Sequence, residues 1–142
     1  MVAPALADFS GRVTDVLDGD LLDVSLNNQV FRIRLADIDA PEPGQRFSRE
    51  ARAMLSAKAE GRTARVHEQG MDLRGYTVAR VTVGGQDLGL AQVQAGMAWR
   101  AEQSNVDEYR LAEERAREQR KGLWRDISPV PPWEWLARRG NR

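Results

Sequence analysis

Between Leu21 and Leu35 the chain reads LLDVSLNNQVFRIRL, two alternating runs on either side of Asn27-Asn28. Leu22, Val24 and Leu26 recur with the period of two that puts every second side chain on one face of a sheet. After the asparagines, Phe31, Ile33 and Leu35 share one side and Val30, Arg32 and Arg34 the other. Two short alternating runs around such a turn read as a β-hairpin. A lone hairpin is at best marginally stable in water, so the remaining chain must cover this one.

Further strands are at hand. GRVTDVL runs from Gly11 to Leu17 and leads into a tight turn at Asp18-Gly19. RTARVHE and YTVARVTV are two more strands, joined through QGMDLRG, with Gly84-Gly85 closing the second. Pro41, Pro43 and Gly44 end the hairpin's return strand in a loop. SREARAMLSAKAEG reads as a helix, with Ser48 as its cap, Glu50 in its first turn, an apolar face of Ala51, Met54, Leu55 and Ala59, and a stop at Gly61. DLGLAQVQAG is a shorter helix capped by Asp87 and ended by Gly96. The longest helix is expected from Asn105 to about Lys121, stopped by Gly122. Its Arg115, Arg117, Arg120 and Lys121 alternate with glutamates, which reads as a solvated face. SPVPPWEW is expected to be extended because of its prolines, with Trp133 and Trp135 anchoring it.

Three strands, a helix, two strands and then helices predict an α+β, mainly β, chain. The order matches the OB-fold, a five-stranded Greek-key barrel, with about three helices. Periodicity alone reaches only a small barrel with helices. The expected organisation is a stub over residues 1–8, one domain over 9–126 and a Pro/Trp-rich tail over 127–142.

Charge narrows the function. Lys plus Arg and Asp plus Glu both number 21, so binding of nucleic acid by bulk electrostatics is not expected. Any such role needs a local patch or a bound cation. With no cysteine and a single histidine, His67, there is no thiolate or histidine-rich metal site. His67 falls in a strand and reads as a surface or hydrogen-bonded residue. No stretch reaches the roughly 20 apolar residues of a membrane span, so no membrane partner is expected. Ala5-Leu6-Ala7 followed by Asp8 has the form of a signal-peptidase site, which together with the missing cysteine predicts a secreted or periplasmic protein.

Asp18, Asp20, Asp39 and Glu42 all lie beside turns at strand ends. Taken singly, each reads as an ordinary turn carboxylate. Together they are what a hard cation such as Ca²⁺ or Mg²⁺ seeks, and oxygen is nearly the only ligand this chain offers. Consecutive strands would bring both turns to one end of the barrel. Arg34, on the approach to Asp39, would then add a guanidinium, and cation plus arginine is a phosphate site.

VLDGD, RLADIDAPE, DLRGYTVARV, LAQVQAGMAW and KGLW, in that order, resemble the staphylococcal nuclease (thermonuclease-like) family from about Phe9 to Trp135. The tail PVPPWEW is similar to that of secreted bacterial members. The resemblance implies the OB-barrel, Ca²⁺ as cofactor, and DNA and RNA as substrates, preferentially single-stranded or denatured, acted on by a monomer. It implies that Asp20 and Asp39 bind Ca²⁺ through carboxylates and Ala40 through its carbonyl. Glu42 falls on the general base and Arg34 on one of two phosphate arginines. Arg32 is an exception, a partly exposed strand residue.

The chain departs from the pattern at the second arginine. Tyr76 stands there, and the arginine, Arg74, comes two residues earlier. That shift spans about 6–7 Å of extended chain, so slow hydrolysis is expected, with Arg74 and Tyr76 as candidate substrate contacts. Leu21 replaces a usual threonine, and Ala101 and Glu102 sit where aromatics often stack on the base. Asp37 replaces a usual glycine and shares strand parity with Asp39, so it is expected to add negative charge to the site. The competing expectations are a catalytically poor OB-fold module that binds nucleic acid, and an extracellular domain with a Ca²⁺ site only.

Overall fold

A computed structural model describes residues 8–140, so Ala5-Leu6-Ala7 lies outside the described residues. Strands β1 (Asp8–Asp18), β2 (Leu21–Leu26) and β3 (Gln29–Leu35) form an antiparallel meander, followed by the two-residue β4 (Ile38–Asp39). Helix α1 (Ser48–Ala59) precedes β5 (Thr63–Met71) and β6 (Thr77–Val83). Short β7 (Gln86–Asp87), helix α2 (Leu88–Gln94), short β8 (Trp99–Arg100) and helix α3 (Asp107–Glu118) follow. A single 3₁₀ turn over Gly122–Arg125 and helix α4 (Pro132–Gly140) complete the chain.

The strand order is β3-β2-β1-β5-β6, and β3 pairs in parallel with β6. That pairing closes a five-stranded Greek-key barrel, the expected OB architecture. The alternating apolar residues fill it: Val13, Leu22, Val24, Ile33, Val66 and Val81 are all completely buried. Asn27 and Asn28 both adopt left-handed backbone, at φ 52° and 66°, as a two-residue hairpin turn with the twist of its strands demands. No helix among the described residues is long and apolar enough to cross a membrane.

Three local expectations are corrected. Ser48 does not cap α1; it is the first helical residue, and Phe47 takes the cap position in left-handed backbone, φ 71°, without a side-chain bond. The tail is not extended throughout, because α4 begins at Pro132. Proline blocks a helix interior but suits its first turn, where no amide partner is needed. The longest helix is shorter than expected: it ends at Glu118, and Arg120 turns left-handed at φ 50° before Gly122. The expected cap of α2 is present, with Asp87 accepting from the Leu90 amide at 3.0 Å.

A second, smaller core lies outside the barrel. Trp99 meets Trp124 edge-on at 5.3 Å, with Ala116 and Leu123 beside them and Phe47 and Trp133 packed against the group. Gly96 and Gly122 press their backbones together here, the Leu123 amide donating to the Gly96 carbonyl at 2.9 Å. A side chain on either glycine would collide with the other's segment. This close approach ties the chain after α3 to the end of α2 and so sets where the C-terminal segment starts.

Candidate active site

The β1–β2 turn, the end of β3, the loop after β4 and the β5–β6 turn meet at one end of the barrel. They enclose an open cleft of about 320 Å³ lined by Asp18, Asp20, Leu21, Arg34, Asp39, Glu42, Asp72, Leu73, Arg74 and Tyr76. The expected cation, base and phosphate side chains, Asp20, Asp39, Glu42, Arg34, Arg74 and Tyr76, all line this cleft, and Ala40 is buried beside it.

Asp20 anchors the floor. Its Oδ2 accepts from the Ala40 amide at 3.0 Å, and its carbonyl accepts from the Leu35 amide at 2.8 Å. The two turns that carry the carboxylates are thereby fixed to each other. Gly19 is closely packed, since a Cβ there would meet the side chains of Ala51 and Ala40 at 2.6 and 2.9 Å.

Gln92, from α2, is fully buried and was not singled out in the sequence. Its Nε2 donates to the carbonyls of Gly19 and Ala51, both at 2.9 Å, so it stitches the Asp18–Asp20 turn to α1. A glutamine on the buried face of a short helix was the available signal. Gln92→Leu removes the buried donor that the two carbonyls share. It is expected to cost about 2 kcal/mol or more in urea unfolding, and to weaken any function that needs this turn.

Burial pushes the Asp20 carboxyl up to about 7, against the opposing pull of the Ala40 amide and Arg34. Burial likewise raises Asp39 to about 6, with Arg34 opposing and Glu42 reinforcing. Two desolvated carboxylates that resist ionisation mark a place short of positive charge. Among the described residues, no group of three or more His, Cys, Asp or Glu side chains converges to hold a metal ion. Two carboxylates alone would leave a hard divalent cation to draw its remaining oxygens from backbone, water or a bound phosphate.

Arg34 lies 3.4 Å from Asp39 and 4.0 Å from Asp72. Asp72 is the organiser of the β5–β6 turn. Its Oδ1 accepts from the amides of both Arg74 and Tyr76 at 2.9 Å. An aspartate three residues before Gly75 is the turn signal that would have found it.

This turn decides the two exchanged residues. Burial raises the Glu42 carboxyl, and the charge of Arg74 opposes that rise more than Arg34 does. Arg74 acts on Asp18 as well. Tyr76 instead turns towards Arg32, whose guanidinium lies 5.9 Å from the ring centre. Arg32 grips Asp23 with two hydrogen bonds of 3.0 and 3.1 Å, a structural pair on the barrel wall. The expected separation assumed extended chain. A tight turn curls back instead, and Arg74 lines the cleft together with the carboxylates.

Asp37 is also corrected. It adopts φ 66°, which explains why glycine is comfortable at this position. The left-handed residue breaks the strand parity on which the expectation rested. Asp37 does not line the cleft, and its charge acts on Tyr109. Ala101 is buried at 5% exposure and offers no stacking surface. His67 sits on β5 with Nδ1 3.2 Å from Asp8, a half-exposed strand histidine.

The loop bearing Glu42 is held from an unexpected direction. The Glu42 amide donates to Gln45 Oε1 at 3.0 Å, and Gln45 Nε2 donates to the Val130 carbonyl at 2.6 Å. One buried glutamine thus couples this loop to the C-terminal segment, from which Trp133 and Leu136 complete the cleft lining.

Comparison with known proteins places these features in context. The family model described as staphylococcal nuclease homologue matches residues 32–126. A protein named micrococcal nuclease from Shigella flexneri is 41% identical, over 93% of this chain and 83% of its own length. An uncharacterized endonuclease from Escherichia coli O157:H7 is 39% identical, covering 94% of this chain and 88% of its own. Protein ParB of Escherichia coli is 36% identical over 100% of this chain and 87% of its own length.

Proposed function

Because this chain belongs to the staphylococcal nuclease homologue family, we propose that it is a Ca²⁺-dependent phosphodiesterase that hydrolyses DNA and RNA. The observation that carries the reading is the position of Glu42 in one cleft with two arginines and two desolvated aspartates, drawn from three separate stretches of chain.

Each residue has a role that its surroundings support. Asp20 and Asp39 would hold the cation, with the Ala40 carbonyl as a backbone ligand. A bound Ca²⁺ supplies Lewis-acid polarisation of a phosphate oxygen. Glu42 takes a proton from the attacking water as the water oxygen bonds to phosphorus. The bond from phosphorus to the leaving ester oxygen breaks, and that oxygen is protonated from solvent. Arg34 and Arg74 donate to the non-bridging oxygens, where negative charge grows in the transition state. Arg34 is already paired with Asp39 and Asp72, so it is oriented before a phosphate arrives.

The position of Arg74 bears on rate. Slow turnover was expected because Tyr76 carries no charge at the second arginine position. With Arg74 acting on Glu42, two guanidinium charges serve the cleft, and we propose that the exchange of arginine and tyrosine preserves catalysis. The alternative, an OB module that binds nucleic acid without cleaving it, draws on Tyr76 alone.

Digestion of denatured DNA with Ca²⁺, with and without chelator, tests the reading. Chelator-sensitive cleavage is expected, and intact DNA in both arms would move the assignment to the binding module. Calcium titration by calorimetry is expected to show one site that disappears in Asp20→Ala. Undiminished binding in that variant would move the ion elsewhere.

A further inference from the structure

Helix α4 lies beyond the stretch matched by the family model, which ends at residue 126. Yet Trp133 and Leu136 line the same cleft as Glu42, Arg34 and Arg74. On its other side Trp133 lines a separate depression of about 320 Å³, shared with Trp99, Arg100, Arg117 and Trp124. Trp133 is therefore a partition between two open spaces rather than a buried anchor.

Its mounting is firm. Trp133 packs against the cluster of Trp99, Trp124 and Leu123. The segment before it is held by the bond from Gln45 to Val130. Docking of α4 onto the Glu42 loop falls to another residue, Trp135, which lies against Gly44 and carries Arg139 over its ring at 4.6 Å. Trp133 is only partly buried, and Leu136, three residues on and on the same helix face, is 43% exposed. Across the cleft Leu73 is fully exposed. Apolar side chains left open on both rims of a charged phosphate-handling cleft suit a substrate that is charged along its backbone and flat and apolar beside it.

We propose that Trp133, extended by Leu136, is the stacking surface for an unpaired nucleobase next to the phosphodiester held at Glu42. The inference rests on the nuclease reading of that cleft. A base inside a duplex is covered on both faces by its neighbours, so only an unpaired one can lie on this ring. Preference for single strands then originates in α4. The same helix answers the burial of Ala101, which leaves the barrel itself without an aromatic platform at that position. Stacking tolerates any base, because every base has a π-face, so α4 selects strandedness and not sequence.

The experiment uses the full chain carrying Glu42→Gln, so that ligand survives, with Ca²⁺ present. Binding is measured for an eight-residue oligothymidylate and for an oligomer of equal length and charge built from abasic nucleotides. The Glu42→Gln protein is expected to prefer the base-bearing oligomer by about tenfold or more. Adding Trp133→Ala is expected to remove most of that preference, and Trp133→Phe to keep the larger part of it. An equal loss for both oligomers in Trp133→Ala and Trp133→Phe would show that Trp133 only supports the cleft, and would overturn the proposal. So would an undiminished preference in Trp133→Ala. If the parent chain binds with base preference but cleaves nothing, the nuclease reading fails while the stacking site stands.

Discussion

Glu42→Gln is expected to lower turnover of denatured DNA by about 10²–10⁴-fold, the range for losing a positioned general base. The substitution changes little else. The carboxamide has the shape of the carboxylate. The bonds that hold the loop run through the Glu42 backbone amide and the Gln45 side chain, and neither is touched. Glutamine cannot accept the proton of the attacking water, so the loss should fall on kcat, with KM and thermal stability close to those of the parent. Burial raises the Glu42 carboxyl and Asp18 reinforces the rise, while Arg74 and Arg34 pull it back. Steady-state kinetics with Ca²⁺ in excess, beside a melting curve, checks this. A rate within threefold of the parent would remove Glu42 from the mechanism.

The second large effect is expected at the β5–β6 turn. Arg74→Ala should reduce kcat by about 10²–10³-fold, the usual consequence of removing a charged donor from developing negative charge. Tyr76→Phe should change it little, because the ring lies towards Arg32 on the barrel wall. The contrast is informative because the two residues flank Gly75 and their amides share one partner, Asp72. Damage to the turn itself would affect both variants, whereas loss of a transition-state contact affects Arg74 alone. Nucleotide affinity should fall less than kcat, since the charge counts most when the phosphate carries its greatest negative charge. If Arg74→Ala stays within fivefold of the parent and Tyr76→Phe does not, the roles assigned to this turn are reversed.

Much of the cleft is legible in the sequence. Asp20, Asp39, Glu42 and Arg34 stand in two stretches joined by one hairpin, and a meander of short strands leaves little freedom in where its turns go. The unforeseen parts share a physical cause. Gln92 and Gln45 act through hydrogen bonds to distant backbone groups, and such bonds are specified by where a carbonyl or amide ends up rather than by residue type. Gln92 reaches Gly19, 73 positions away in the chain, and Gln45 reaches Val130 across 85. No window of sequence contains either pair. The misjudged positions, Ser48 and Asp37, both lie at turns. Asp37 and Phe47, the neighbour that displaces Ser48 from the cap, are left-handed residues at φ 66° and 71°. One such residue redirects every side chain after it.

Sequence by itself determined that a small barrel forms, because the order of strands and helix matches the five-stranded layout and the alternation of Leu22, Val24, Ile33, Val66 and Val81 with polar neighbours supplies its interior. It also determined the chemistry available at the cleft, since a chain with no cysteine and one histidine has little but carboxylates and guanidinium groups to offer. Only the tertiary structure decided that Arg74 joins Glu42 in one cleft and where the C-terminal segment runs. The first depends on a turn curled around Asp72, where a shift of two residues reverses direction instead of adding length. The second depends on Pro132 starting a helix instead of preventing one, and on that helix finding the Trp99–Trp124 cluster and the Glu42 loop side by side. Both outcomes arise from contacts between segments distant in the chain, and the energies that settle such contacts exist only once the barrel has brought them together.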